Sequence, residues 1–336
     1  MDKVVVIYSH HKIGDLIWQL PFIRSLSLHH GKKIILVTQA TTQAAELYSD
    51  CDFIEEVIYN QFRKKLFYFI EIFKLYKIIK KINPTYVYLL DKISRPAIAA
   101  KFACVKNIIG PGLGNQKRWL TNKYFLELSD KKLDYVNQTK KFFLINNIKI
   151  QDSFPKILIT EKRLEYFYKK YEKYEKPWVT FGVDSYEPNK IWYEDNFNLL
   201  AENLLKIGKA KSFFLVAHPS RKDYVERIIS LNKKINYIDC SQIRLLEFCS
   251  IVLKSSFYVG NDSGPLNLSA ILGVKSFGLV GPTSASVHKL SNIIIIKSKD
   301  YDGEVEKDAT KKVYSKPREI MKGITVEKVL DKIMLS

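Results

Sequence analysis

Short apolar runs alternate with longer amphipathic stretches along the first half of the chain, the pattern of a parallel sheet whose crossovers are helices. Val4 to Ser9, Lys33 to Gln39, Phe53 to Tyr59, Tyr86 to Asp91 and Val105 to Gly110 read as strands. Helices are expected between them, notably from Asp15 to about His30 and from Phe62 to Lys81, the latter stopped by Asn83 and Pro84. A stretch rich in Tyr, Lys and Glu, from Glu161 to Lys176, leads through Pro177 into a second alternating series. Its strands are Trp178 to Gly182, Ser212 to Ala217, Asn236 to Asp239, Phe257 to Gly260 and Ser276 to Val280. Its helices are Asp195 to Gly208, Lys222 to Asn232, Ile243 to Lys254 and Pro265 to Gly273, and a last helix is expected at about Thr325 to Met334.

The expected fold is therefore α/β, with two Rossmann-like, doubly wound domains. The first covers residues 1–160, a linker helix region 161–177, the second domain 178–315, and a tail with its helix 316–336. Such sheets bind ligands beyond the carboxyl ends of their strands, so chemistry is expected where two such edges face a shared central cleft.

At 336 residues, with 46% hydrophobic and 26% charged positions, the chain is neither disordered nor fibrous. No apolar run approaches the roughly 18 residues of a membrane-crossing helix. The N-terminus enters a strand-like run without a signal-peptide pattern, and a cytoplasmic location is expected. Cys51, Cys104, Cys240 and Cys249 form no C-x-x-C pair, which fits reduced thiols better than zinc or disulfides. The net charge of +19 attracts anions, whether nucleic acid, an anionic membrane surface or a phosphorylated substrate. The helix from Phe62 to Lys81 carries Arg63, Lys64, Lys65, Lys74, Lys77, Lys80 and Lys81 against Glu71. That pattern suits a helix lying on an anionic membrane and an ordinary core-facing helix equally.

Candidate chemistry clusters at strand ends. Gly260-Asn261-Asp262-Ser263-Gly264-Pro265 follows a strand and opens an apolar helix, offering backbone N–H groups and a helix dipole to an anion such as a diphosphate. A simple N-cap with a glycine turn accounts for the same residues. A second turn, Gly281-Pro282-Thr283-Ser284, follows the next strand. In the first half, His11-Lys12-Ile13-Gly14-Asp15 lies between a strand and a helix. There Gly14 permits close ligand approach, and Asp15 is either a general base for an incoming hydroxyl or a helix cap. Lys190, in the loop after the first strand of the second domain, is placed to neutralise a leaving phosphate or to be solvated. Gly110, Gly112 and Gly114 lack the last glycine of a dinucleotide fingerprint, Asp50-Cys51-Asp52 reads as a turn, and His10-His11 and His29-His30 lack partner ligands for a metal.

Ile13-Gly14-Asp15-Leu16 with Pro21, Lys190-Ile191-Trp192, Gly260 to Gly273 with Phe277 to Thr283, and Met321-Lys322-Gly323-Ile324-Thr325 occur in that order. Together they resemble the signatures of the heptosyltransferase family, glycosyltransferase family 9. The resemblance implies a GT-B fold and an inverting, metal-independent transfer from a nucleotide-diphosphate sugar, with no cofactor. ADP-heptose is the donor of the best-known members, and the acceptor is the lipopolysaccharide inner core at the cytoplasmic face of the inner membrane. It makes Asp15 the catalytic base, with Lys190 acting on the leaving phosphate. Gly14, Ser185, Arg221, Asp262, Ser263, Gly264, Asn267, Gly281, Pro282 and Thr283 are the implied substrate-binding positions.

Two positions depart from the family pattern. Asn267 stands where a histidine is usual, and it hydrogen-bonds but does not titrate near neutrality. Arg221 falls in the segment after Ala217 where an acidic residue holds the ribose. Both bear on which nucleotide or sugar is used. The readings left open are transfer of a different sugar in capsule or O-antigen synthesis, a nucleotide-sugar epimerase, and a non-catalytic basic protein that binds nucleic acid or lipid. Asp15 and the paired glycine turns favour an enzyme, and no nucleic-acid partner is expected.

Overall fold

The computed structural model describes residues 2–62, 68–152, 154–281, 290–298 and 319–336. The chain divides into two compact units, Met1–Ile159 and Thr160–Ser336.

The first unit holds a sheet of β1 (Val4–Ile7), β2 (Ile34–Thr38), β3 (Ile54–Tyr59), β4 (Tyr86–Leu89) and β5 (Asn107–Ile109), in the order β3-β2-β1-β4-β5 and parallel throughout. Every residue of β1 and β2 is buried, as expected of central strands covered on both faces, whereas β3 at the edge leaves Glu55 and Glu56 exposed. The predicted first helix is interrupted, becoming α1 (Ile13–Ile17) and α2 (Leu20–His30). Pro21 explains the break: it donates no N–H and its ring crowds the carbonyl four residues back, so it begins a helix rather than continuing one. Further along are α3 (Ala44–Leu47), α4 (Tyr68–Ile82), α5 (Ser94–Phe102) and α6 (Tyr135–Ile145). The start of the predicted basic helix, including Arg63, Lys64 and Lys65, lies outside the described residues. Ile72, Leu75 and Ile79 of α4 face the core, while Phe69, Ile70, Phe73, Lys74, Lys77, Lys80 and Lys81 face outward.

In the second unit, α7 (Glu161–Tyr168) packs on α10 (Leu245–Lys254), where Ser250 Oγ donates to the Leu164 carbonyl at 2.7 Å. The sheet contains β6 (Trp178–Gly182), β7 (Ser212–Val216), β8 (Tyr237–Asp239), β9 (Phe257–Asn261), β10 (Ser276–Val280) and β11 (Ile293–Lys297), in the order β11-β10-β9-β6-β7-β8 and again parallel. Helices α8 (Glu194–Lys206), α9 (Lys222–Leu231) and α11 (Gly264–Ile271) connect strands, and α12 (Glu319–Lys322) and α13 (Val326–Met334) close the chain. Edge strand β11 was not among the expected elements. Its four isoleucines form an apolar run too short to announce a strand by itself, and pairing with β10 is a tertiary event.

Phe181, Trp192, Phe197 and Phe213 are fully buried in the second core. The Trp192 indole donates to the Ile324 carbonyl at 2.7 Å, tying the C-terminal segment to the loop after β6. Each unit shows the same reversal of strand order: β1 and β4 are neighbours in the first sheet, β6 and β9 in the second. A ligand crevice is expected outside the carboxyl ends of such pairs.

Candidate active site

In the first unit, the loops after β1 and β4 meet through Asp91. Its carboxylate accepts from the Ser9 amide at 2.7 Å and the Ile93 amide at 3.0 Å. The fully buried Gln116 amide donates to the carbonyls of Asp91 and Ile93, so the floor of the edge is cross-braced. Above it, Asp15 projects from α1 with its side chain about one-third exposed, and its Oδ2 lies 3.3 Å from His10 Nδ1. The pKa of each of the Tyr8 and Tyr135 phenols is raised, first by loss of solvent, complete for Tyr8 and partial for the half-exposed Tyr135, and then because Asp15 and Asp91 oppose any further negative charge. Gly14 has an ordinary backbone conformation, and a Cβ there would meet nothing within 4 Å. The fold itself does not demand glycine at that position.

In the second unit, the loops after β6 and β9 are joined by Lys190, whose ammonium lies 3.0 Å from Asp262 Oδ2 and 3.5 Å from Glu187 Oε2. Ser185 Oγ donates to the Asp262 carbonyl at 3.3 Å, and the Trp192 amide donates to Asn261 Oδ1 at 2.9 Å. Ser263 stands at the N-cap of α11 with extended backbone, yet its hydroxyl does not cap the helix. It is buried beside the Tyr258 phenol, whose proton burial holds far above the ordinary tyrosine range. The first amides of α11 therefore have no side-chain cap from Ser263, which leaves the helix start suited to an anion. Asn267 Nδ2 lies 3.4 Å from the Ser263 carbonyl.

The structure thus brings Ser185, Lys190, Asp262, Ser263, Gly264 and Asn267 to one strand edge, and Gly14 and Asp15 to another. Arg221 lies elsewhere on the second edge, 3.4 Å from Asp184 at the end of β6, and the His218 amide donates to the same carboxylate at 3.2 Å. Sequence reading did not single out Asp184, which stands in the loop after β6 and meets Arg221 from the loop after β7. Gly281 has a packing role, since a Cβ there would lie 2.4 Å from Met321 Sδ, and Pro282 and Thr283 lie outside the described residues. His10 and Asp91 were not singled out as site members either: His10 lies three residues after β1 and Asp91 two residues after β4, at the reversal point, but the sequence pattern runs the second of these strands through Asp91.

The sequence profile of glycosyltransferase family 9 (heptosyltransferase) matches residues 75–312. No curated protein sequence matches the chain. Among solved structures, ADP-heptose lipopolysaccharide heptosyltransferase II of E. coli superposes with a TM-score of 0.77 at 16% identity, covering 99% of this chain and 98% of that one. A family 9 glycosyltransferase from Veillonella parvula gives 0.80 at 18% identity over 100% and 97% of the two chains. UDP-GlcNAc 2-epimerase from Methanocaldococcus jannaschii gives 0.53 at 12% identity, with both chains fully covered. At these identities the likenesses establish the fold, which is GT-B. The profile spans well over half of the chain, and the protein therefore belongs to glycosyltransferase family 9, the heptosyltransferase family, and is a glycosyltransferase.

Proposed function

We propose that the protein transfers a heptose, with inversion and without a metal, from a nucleoside-diphosphate donor to the lipopolysaccharide core or a related surface glycan. The observation that carries this reading is the matched pair of reversal points, with a half-open carboxylate at the first and an uncapped helix start beside Lys190 at the second. ADP-heptose is the first donor to test, because an E. coli heptosyltransferase, WaaC, of the same fold holds an ADP-heptose analogue.

In the proposed reaction the acceptor hydroxyl loses its proton to Asp15 and its oxygen bonds to the anomeric carbon. The bond from that carbon to the diphosphate breaks, and the electron pair leaves with the diphosphate. The α11 amides and Lys190 receive the departing charge, whereas the Ser263 hydroxyl, buried beside Tyr258, faces away from it. Lys190 reaches the diphosphate in competition with Asp262 and Glu187, so the amides carry part of the binding. A helix start contributes up to about 2 kcal/mol. A 10⁶-fold acceleration requires about 8 kcal/mol, so the roughly 10² to 10⁴-fold effect of a general base is also needed.

The outward face of α4, with Phe69, Ile70 and Phe73 among lysines, suits attachment to an anionic membrane where a lipid-linked acceptor resides. No described helix is long and apolar enough to cross a membrane.

The deciding experiment follows nucleotide release from ADP-heptose and from UDP-sugars, with and without lipopolysaccharide core, for the parent and Asp15→Asn. Acceptor-dependent ADP release that Asp15→Asn lowers at least 100-fold, with ADP binding retained, is the expected result. Turnover by Asp15→Asn near the parental rate removes Asp15 as the base, and release from UDP-sugars alone replaces the donor.

A further inference from the structure

The imidazole of His10 is gripped on three sides. It stacks on Tyr8 with ring centroids 4.9 Å apart and planes 9° apart, and meets the edge of Tyr135 at 4.3 Å and 79°. Its third contact is Asp15, at 3.3 Å from Nδ1. These neighbours come from the end of β1, the first residue of α6 and the middle of α1, so three separate elements set the ring plane. Two neutral phenols cover it, Asp15 faces it directly, and Asp91 acts electrostatically on both phenols. A histidine serving only as a solvated loop residue has no need of such fixation.

We propose that His10 is a positioning residue for the base: its Nδ1–H donates to Asp15 Oδ2, locking the carboxylate so that Oδ1 takes the proton of the acceptor hydroxyl. The inference rests on the reading of Asp15 as the base. The Nδ1–H tautomer of a neutral imidazole suffices, so the role needs no positive charge on His10. The abstracted proton stays on Asp15 while the glycosidic bond forms and the diphosphate leaves with its electron pair, and then passes to water. A hydrogen bond to an ionised group is worth about 10- to 150-fold in an equilibrium, which bounds the effect.

Two measurements on the full chain test this. With ¹⁵N-labelled imidazole, the parent shows His10 as the Nδ1–H tautomer and Asp15→Ala shifts it toward Nε2–H. A parental Nε2–H tautomer overturns the proposal whether or not a substrate has been found. In turnover assays His10→Phe, which keeps the ring stack, lowers kcat at least tenfold with donor KM and thermal stability unchanged. His10→Asn, which restores an N–H near the Nδ1 position, recovers most of that loss. Equal kcat for His10→Phe and the parent, in an assay where Asp15→Asn is inactive, refutes the role of His10 and leaves the base intact. An active Asp15→Asn refutes the base itself.

Discussion

Lys190 and Asp262 form an ion pair of 3.0 Å in which both side chains are about nine-tenths buried, so the cation of the second reversal point is compensated before a ligand arrives. Removing one partner from such a pair leaves the other charge in a poorly solvated place. Lys190→Ala is expected to lower unfolding free energy by about 1–3 kcal/mol and to weaken ADP binding at least tenfold. Asp262→Ala added to it restores much of the stability but not the affinity. Denaturant titration and calorimetric ADP binding separate the two effects, and unaltered ADP affinity in Lys190→Ala takes Lys190 out of the phosphate site.

Gly14→Ala isolates ligand access from folding. The added methyl meets no atom within 4 Å, and alanine favours a helix over glycine by up to about 1 kcal/mol. Thermal stability is expected to hold or rise, while kcat/KM for the acceptor falls about tenfold or more through crowding of the ligand. Unchanged acceptor kinetics would show that no ligand approaches this backbone.

Gly182 and Gly260 share a register, and both lie under the Tyr258 ring: a methyl on Gly182 would sit 1.6 Å from the phenol oxygen. Overpacking of this severity costs about 1–3 kcal/mol or more. Gly182→Ala is expected to lose that much in chemical denaturation, and Tyr258→Ala in the same chain to regain part of it. Additive losses in the double variant contradict the contact.

Glu247 supplies a pH test of the second unit. Burial alone would raise its pKa, but hydrogen bonds from Lys170, Tyr171 and the Arg244 amide outweigh that and hold the carboxyl below its ordinary value. A lowered folded-state pKa contributes stability above the unfolded carboxyl's range near pH 4.3, lost as pH falls through the lower folded value. Glu247→Gln is expected to be less stable at pH 7 and to show a shallower loss of stability below about pH 4.5. Since Lys170 is largely exposed, the difference at pH 7 is modest, about 1 kcal/mol. Identical acid-denaturation curves for parent and variant rule out this linkage.

Much of the architecture was legible because period-2 and continuous apolar runs report burial locally. Trp178 to Gly182 and Ser276 to Val280 have the ends read from sequence, and Asp15, Lys190 and the Asp262-Ser263-Gly264 turn stand at strand ends because loops there follow directly from strand periodicity. The split after Ile17 was less visible, since Pro21 sits inside an otherwise continuous apolar stripe.

Partnerships were beyond the sequence. The tyrosine rings that clamp His10 against Asp15, the meeting of Asp184 with Arg221, and the Tyr258 ring over Gly182 all join side chains from separate elements. Amino-acid order determined which segments become strands and helices, and hence which residues stand at the binding edge. Strand order and register decided what each touches, because parallel neighbours are set by long-range backbone pairing that no local pattern encodes.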